Sequence, residues 1–252
     1  MTAQEKFSSL VKLIYECDDV AVAFSGGTNS SLLLCAAQEA HGKNVWALTA
    51  NAAFSTQEEL YRVHEVLEDY KLNDARIPVY VLQEKSVAKN GADRCETCRK
   101  LLSEGVAKAA KNLGASVLLD GRIGEQAGCV DGRMANVEIE QRSPLAELGF
   151  VKSDISEMLC AVGRNYYIRE PVCCLAERFA SGEHLTPEKL DFVEKAEKEI
   201  RKFAGKDCSA YFSDWNIAVY TARNLLDCEK ENITQKLKED GAKNVSFTLL
   251  EE

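Results

Sequence analysis

The run "VAVAFSGGTNSSLLLCAA", residues 20–37, constrains the fold more than any other part of this 252-residue chain. A β-prone run ends at Phe24, Gly26 and Gly27 follow Ser25, and an apolar helical stretch opens directly after. Such a junction asks for a strand that stops at the top of a sheet and a helix that starts there. The glycines let backbone N–H groups approach an anion, serine hydroxyls add donors, and the helix N-terminus supplies partial positive charge. The run is neither a Walker loop, which needs Gly-Lys-Ser/Thr, nor a dinucleotide loop with its three spaced glycines. A Gly-rich turn with no ligand fits these residues equally well when they are taken alone.

The alternation continues downstream. "NVWALTA" (44–50) reads as a second strand, "STQEELYRVHEVLEDY" (55–70) as a capped helix, and "RIPVYVL" (76–82) and "SVLLD" (116–120) as further strands. The helix "TCRKLLSEGVAKAAKNLG" (97–114) separates those last two. This rhythm predicts an α/β fold, a doubly wound parallel sheet with ligands at the carboxyl ends of its strands. Thr49 and Asn51, near the end of the second strand, are therefore expected beside a nucleotide. After residue 121 a Gly-rich irregular stretch suits a loop near a site. Helical patterns return at 152–163 and 186–205, and the tail reads β-β-α-β from "CSAYFS" to "NVSFTLLEE". The expected division is a nucleotide-binding domain over 1–180 and a small C-terminal α+β appendage over 181–252.

Charge narrows the function classes. A formal net charge of −9 disfavours a broad nucleic-acid footprint, because phosphate backbones are held by clustered Lys and Arg. No apolar run reaches membrane-spanning length, and the start "MTAQEKFSSLVKL" shows no secretory pattern, so no membrane partner and a cytoplasmic location are expected.

Ten cysteines are many for a chain read as cytoplasmic, where thiolate ligands or reactive sulfur are better explanations than a disulfide framework. Cys35 and Cys160 fall on apolar helical faces and read as small buried hydrophobes. "GADRCETCRKLL" (91–102) sets Cys95 and Cys98 at the mouth of a helix, where both sulfurs can turn to one point. Cys173 and Cys174 are adjacent in "REPVCCLAERFASGEHLTPEKL" (169–190), and neighbouring side chains point apart. A zinc site of four thiolates is thus the weaker version. Three thiolates on a [4Fe–4S] cluster, leaving one iron open, fit better. Two unrelated thiol pairs remain the bland alternative.

At Ser25, Gly26, Gly27, Ser30 and Ser31 the chain resembles the PP-loop ATP pyrophosphatase superfamily, whose pattern is Ser-Gly-Gly-x-Asp-Ser. The resemblance implies the adenine nucleotide alpha hydrolase-like fold, ATP binding and pyrophosphate release with Mg²⁺. Asn29 stands where the family carries an acid, which keeps size and hydrogen bonding but loses the charge that attracts a divalent cation.

Three further blocks, "RCETCRKLL", "RSPLAELGFVKSDISEML" and "CCLAERFASGEHLTPEKL", resemble in order and spacing those of ATP-dependent sacrificial sulfur transferases of nickel-pincer nucleotide biosynthesis. In that family ATP adenylates a pyridine carboxylate, and sulfur then comes from a sacrificed cysteine or from hydrosulfide on a three-cysteine cluster. By position the resemblance implies Cys95, Cys98 and Cys174 as cluster ligands, Cys174 as the reacting cysteine and Arg178 as an anion clamp. Gly121 and Glu125 match or replace residues of the family's nucleotide loop. Glu177 departs from the family's Ser, and Arg122 and Ile123 depart as well, as in a divergent paralogue. The expected function is a sulfur transferase acting on an ATP-activated small-molecule substrate, supplied by a sulfide source and assembled as a homo-oligomer. A cluster-dependent tRNA thiolase and a non-adenylating sulfide- or nucleotide-binding protein are the alternatives.

Overall fold

The chain runs through α1 (Ala3–Tyr15), β1 (Val20–Ala23), α2 (Thr28–His41), β2 (Trp46–Ala52), α3 (Gln57–Tyr70) and β3 (Asn73–Val79). It continues through α4 (Lys85–Ala88), α5 (Arg94–Asn112), β4 (Val117–Leu119), β5 (Glu140–Arg142), α6 (Pro144–Glu147) and α7 (Lys152–Ala161). The last part is α8 (Pro187–Ala204), β6 (Cys208–Ser213), β7 (Asn216–Thr221), α9 (Asp227–Glu239) and β8 (Asn244–Leu249). The computed structural model describes residues 1–124 and 138–250. Contact density divides the chain into two compact units. The first holds Met1–Ala52, Gln57–Val79 and Cys98–Val172; the second holds Ala53–Thr56, Tyr80–Thr97 and Cys173–Glu252.

The first unit is built on a five-stranded sheet in the order β3-β2-β1-β4-β5 with every pairing parallel. Alternation along the strands explains its two covered faces. Val20, Val22 and Ala47 face a core with Leu32, Leu33, Ala36 and Ile14, while Ala21, Leu48 and Leu118 face Val106, Ala107 and Ala110 of α5. The parallel α/β sheet expected from the sequence is the one found. Strand order reverses at β1, so its carboxyl end and that of β4 form the topological switch point where such sheets bind ligands.

Four elements lie outside the sequence expectation, the single-turn helices α4 and α6 together with α1 and β5, and β3 is displaced. α1 opens on a capping box between Thr2 and Glu5 and buries Phe7, Leu10 and Ile14 at helical spacing. β5 is the charged triplet Glu140–Arg142, recruited by pairing with β4 and carrying no apolar signal of its own. β3 spans 73–79, three residues before the apolar run at 76–82, because it pairs in register with β2 from Trp46↔Asn73 to Ala52↔Val79. As the sheet's edge strand it tolerates Pro78.

The second unit contains a three-stranded mixed sheet, β6 antiparallel to β7 and β7 parallel to β8. The tail elements follow the expected β-β-α-β order, and residues 181–252 lie wholly in this unit. Its core is aromatic: Phe179, Phe192, Phe212 and Trp215 meet with ring centroids 5.1–6.1 Å apart.

Candidate functional site

In the first unit, residues 25–31 bridge β1 and α2 at the switch point. Gly26 has φ +72°, and a Cβ there would come within 2.9 Å of the Val63 nitrogen of α3. Only glycine fits. Gly27 caps α2 without a side-chain hydrogen bond, and Ser31 N–H closes the first helical bond on Gly27 O at 2.9 Å. The backbone N–H groups of residues 26–30 make no hydrogen bond to any described residue. A fan of unpaired donors at the mouth of a 14-residue helix is the electrostatic feature that attracts phosphate.

Side chains brace this fan. Ser30 Oγ donates to Gly27 O at 3.0 Å and lies 3.1 Å from Ser25 Oγ. Thr28 Oγ1 donates to Arg169 O and accepts from Arg169 N–H, both at 3.1 Å, so this hydroxyl seats the 165–170 segment on α2. Asn29 Nδ2 donates to Gly121 O at 3.1 Å. Gly121 itself packs so tightly that an added Cβ would lie 3.0 Å from Ser30 N. Loop 25–31 and the end of β4 are therefore one constellation.

Ser31 is fully buried and its Oγ has no described partner; Thr49 is 5% exposed and its Oγ1 also lacks one. Buried hydroxyls in proteins are ordinarily hydrogen-bonded, so both point to an absent partner. Asn51 is exposed on the same face of β2 as Thr49. Arg122 and Ile123, the departures after Gly121, are employed structurally. Arg122 grips Asp120 through Nη2 at 2.6 Å, with Ser143 Oγ on the other carboxylate oxygen at 2.7 Å, and Ile123 is buried in the main core. Glu125 lies outside the described residues.

In the second unit, Cys174 precedes a short 3-10 turn, Leu175–Arg178. Cys174 is half-buried and Cys173 exposed. Burial and the Glu177 carboxylate push the Cys174 thiol above its usual range, against the pull of Arg94 and the N–H groups of Glu177 and Ala176. Arg178 does not present a free fork. Its Nε donates to Glu197 Oε1 at 2.6 Å, and Glu197 is 4% exposed, also accepting from Ala210 N–H at 3.2 Å. Burial works against the Arg178 charge, yet Glu197 holds its pKa above the ordinary value.

Cys95 and Cys98 occupy the start of α5, Cys95 exposed and Cys98 half-buried. Among the described residues no three His, Cys, Asp or Glu side chains are gathered so as to hold a metal ion. Cys35 is buried, as expected, but Cys160 is exposed: it falls on the outer side of α7, whose buried residues are Ile155, Met158 and Leu159. Two residues not weighed in the sequence analysis carry much of this unit's polar architecture. Arg94, immediately before Cys95, bonds three separate groups, and Glu197 interrupts the apolar stripe Leu190, Val193, Ala196, Ile200. A carboxylate inside such a stripe is a signal that the sequence does contain.

No family model matches the chain. It is 29% identical over 202 residues to the pyridinium-3,5-bisthiocarboxylic acid mononucleotide synthase of Lactiplantibacillus plantarum, an alignment covering 79% of this chain and 73% of that protein. It is 28% identical over 200 residues to an uncharacterized protein of Synechocystis sp., covering 79% and 75%. An uncharacterized protein of Methanocaldococcus jannaschii is 25% identical over 248 residues, covering 97% of this chain and 94% of its own. The first relative bears out the resemblance to sulfur transferases drawn from the sequence blocks.

Proposed function

We propose that the chain is a sulfur transferase that activates a carboxylate of a pyridinium mononucleotide with ATP and replaces one carboxylate oxygen by sulfur. The observation that carries this reading is the switch-point loop, with its unpaired N–H fan and the unpartnered hydroxyls of Ser31 and Thr49. Similarity to a synthase of a pyridinium bisthiocarboxylic acid mononucleotide supplies the substrate class.

In this mechanism the N–H groups of residues 26–30 and the hydroxyls of Ser25 and Ser30 hold ATP phosphates, and Thr49 and Asn51 face the nucleoside. A substrate carboxylate oxygen attacks the α-phosphorus and pyrophosphate leaves. A sulfur nucleophile then adds to the acyl carbonyl, AMP departs with the original oxygen, and a thiocarboxylate remains. Hydrosulfide gives the thiocarboxylate directly; where the nucleophile is instead Cys174, the proposed reacting cysteine, a thioester forms first, and loss of the Cα proton then breaks the Cys174 Cβ–Sγ bond, releasing the thiocarboxylate and leaving dehydroalanine. The [4Fe–4S] cluster on Cys95, Cys98 and Cys174 is part of the proposal and would offer external sulfide a soft site. The described residues gather no ready three-ligand set, so no step above depends on it. Arg178, held by Glu197, orders the Cys174 turn more directly than it clamps an anion.

A second reading has its own observation. Asn29 is neutral and spends its amide on Gly121, and Asp120 is neutralised by Arg122, so neither offers Mg²⁺ an unpaired carboxylate. That arrangement favours a non-adenylating nucleotide- or sulfide-binding protein. A tRNA substrate is disfavoured by the net charge of −9.

Anaerobic incubation with ATP, Mg²⁺, sulfide and a pyridinium biscarboxylic acid mononucleotide tests the choice. The expected result is pyrophosphate together with a product mass in which oxygen has become sulfur. Nucleotide binding without pyrophosphate release would move the assignment to the second reading. Iron analysis of the same protein tests the cluster, and stoichiometric zinc in a colourless preparation would remove it.

A further inference from the structure

The second unit contains a polar hub that no cysteine motif explains. Asn90 is 2% exposed and sits at φ +53°, a left-handed conformation that asparagine adopts more readily than most non-glycine residues. Its Nδ2 donates to Ala180 O at 2.8 Å, and its own carbonyl accepts from Gly182 N–H at 3.0 Å. Its Oδ1 accepts from Arg94 Nη1 at 2.5 Å. The same Nη1 donates to Ala176 O at 2.9 Å, and Nη2 donates to Cys95 Sγ at 3.0 Å. One guanidinium therefore touches the sulfur of Cys95 and the backbone two residues beyond Cys174, while Asn90 fixes both the guanidinium and the far end of the turn at Ala180.

We propose that Arg94, oriented by Asn90, is a positioning residue that holds the Cys95 sulfur and the Cys174 turn in fixed relation for sulfur transfer. The proposal rests on the sulfur-transferase reading and adds residues that the cysteine motifs leave without a role. Geometry carries it more than charge. A planar fork can serve Asn90 Oδ1, Ala176 O and Cys95 Sγ together, whereas a lysine ammonium on a flexible stem cannot reproduce that three-way fixture.

Two readouts test it on the full-length protein. In the sulfur-transfer assay Arg94→Gln and Arg94→Lys should both lose kcat on the order of 10- to 100-fold with KM for ATP unchanged, the pattern of misplaced reacting groups. Lys195→Ala, which removes only a surface pair on α8, should behave as wild type. In the iron-free protein, mass-resolved alkylation should label Cys174 more slowly than exposed Cys95. With rates extrapolated to the fully ionised thiol, so that loss of the Arg94 charge near Cys174 does not enter, Arg94→Gln should raise the Cys174 rate roughly tenfold, as expected from the loss of one or two hydrogen bonds. Cys228, exposed on α9, should keep its rate.

Asn90 separates side chain from backbone. Asn90→Gly relieves the left-handed φ yet removes the amide, so it should copy Arg94→Gln in both readouts. Full rescue by Arg94→Lys, or wild-type behaviour of Asn90→Gly, would overturn the proposal. If the wild type makes no thiocarboxylate but its Cys174 alkylation still responds to Arg94, the proposed reaction falls and the positioning stands. If sulfur transfer occurs and neither readout responds, the positioning falls alone.

Discussion

Asn29 shows how one amide can change what a loop does. Its Nδ2 ties the start of α2 to the Gly121 carbonyl at 3.1 Å, across a contact with no room for a Cβ on Gly121. An aspartate there would lose the donor and set a carboxylate against a carbonyl oxygen, costing about 1 kcal/mol. A divalent cation between the two oxygens would reverse that cost, since Mg²⁺ binds through carboxylate oxygens. Asn29→Asp is therefore expected to lower Tm by about 2–4 °C in chelator. Added Mg²⁺ should restore Tm and raise pyrophosphate release. Calorimetry with and without Mg²⁺ checks both; an unchanged Tm in chelator would mean that the Asn29–Gly121 bond contributes nothing. The loop's glycines, serines and departure from the acid were legible because such chemistry is written in adjacent residues. Arg122 and Arg94 were not legible in the same way. Ala176 is 82 positions from Arg94 and meets it only once the chain folds back, while Asp120 and Asn90, two and four positions from their arginines, carry no periodic or motif signal.

Elements announced themselves in proportion to their periodicity. α8, with its Thr186 cap and apolar stripe, and the strand pair β6–β7 fell close to where the pattern placed them. β5 and the true start of β3 are set by neighbours, so no local pattern could show them. α1 had a clear signal in its capping box, and its docking has a pH signature. Lys6 Nζ lies 2.5 Å from Asp154 Oδ1 on α7, and Asp154 Oδ2 accepts from Val151 N–H at 2.9 Å. Lys6 first, then Val151, hold the Asp154 carboxyl below its usual value. A depressed folded pKa gives stability that is present above the unfolded value of ~3.9 and is lost as pH falls through the folded one. Asp154→Asn should therefore unfold more easily than wild type at pH 7, and the gap should close as pH falls below the unfolded value and through the lower folded one. Urea midpoints measured across that range check the sign, and a gap independent of pH would show that the carboxylate charge is not what the fold uses.

At the scale of the molecule, each unit has its own core and its own tryptophan. Trp46 lies in β2 of the first unit, whereas Trp215 packs against Phe192 and Phe212 in the second. The second core also encloses a charge. Glu197, inside the apolar stripe of α8, is compensated by Arg178 at 2.6 Å and Arg201 at 3.4 Å. Replacing a buried pair by apolar residues can be neutral, but removing one partner strands the other, at a cost of about 3–5 kcal/mol. Glu197→Gln keeps the size and leaves Arg178 uncompensated, so its damage should begin in the second unit. Two single-tryptophan proteins, Trp46→Phe and Trp215→Phe, can follow this by fluorescence in urea. With Glu197→Gln added, the midpoint reported by Trp215 should fall well below that reported by Trp46, because a core that does not contain the stranded charge has no reason to melt with it. Equal shifts at both probes would mean that the two units unfold as one cooperative body despite their separate cores. The stranded Arg178 would then destabilise the Ser25–Ser31 loop as much as its own turn, and loss of sulfur transfer in Glu197→Gln could not be assigned to the Cys174 segment.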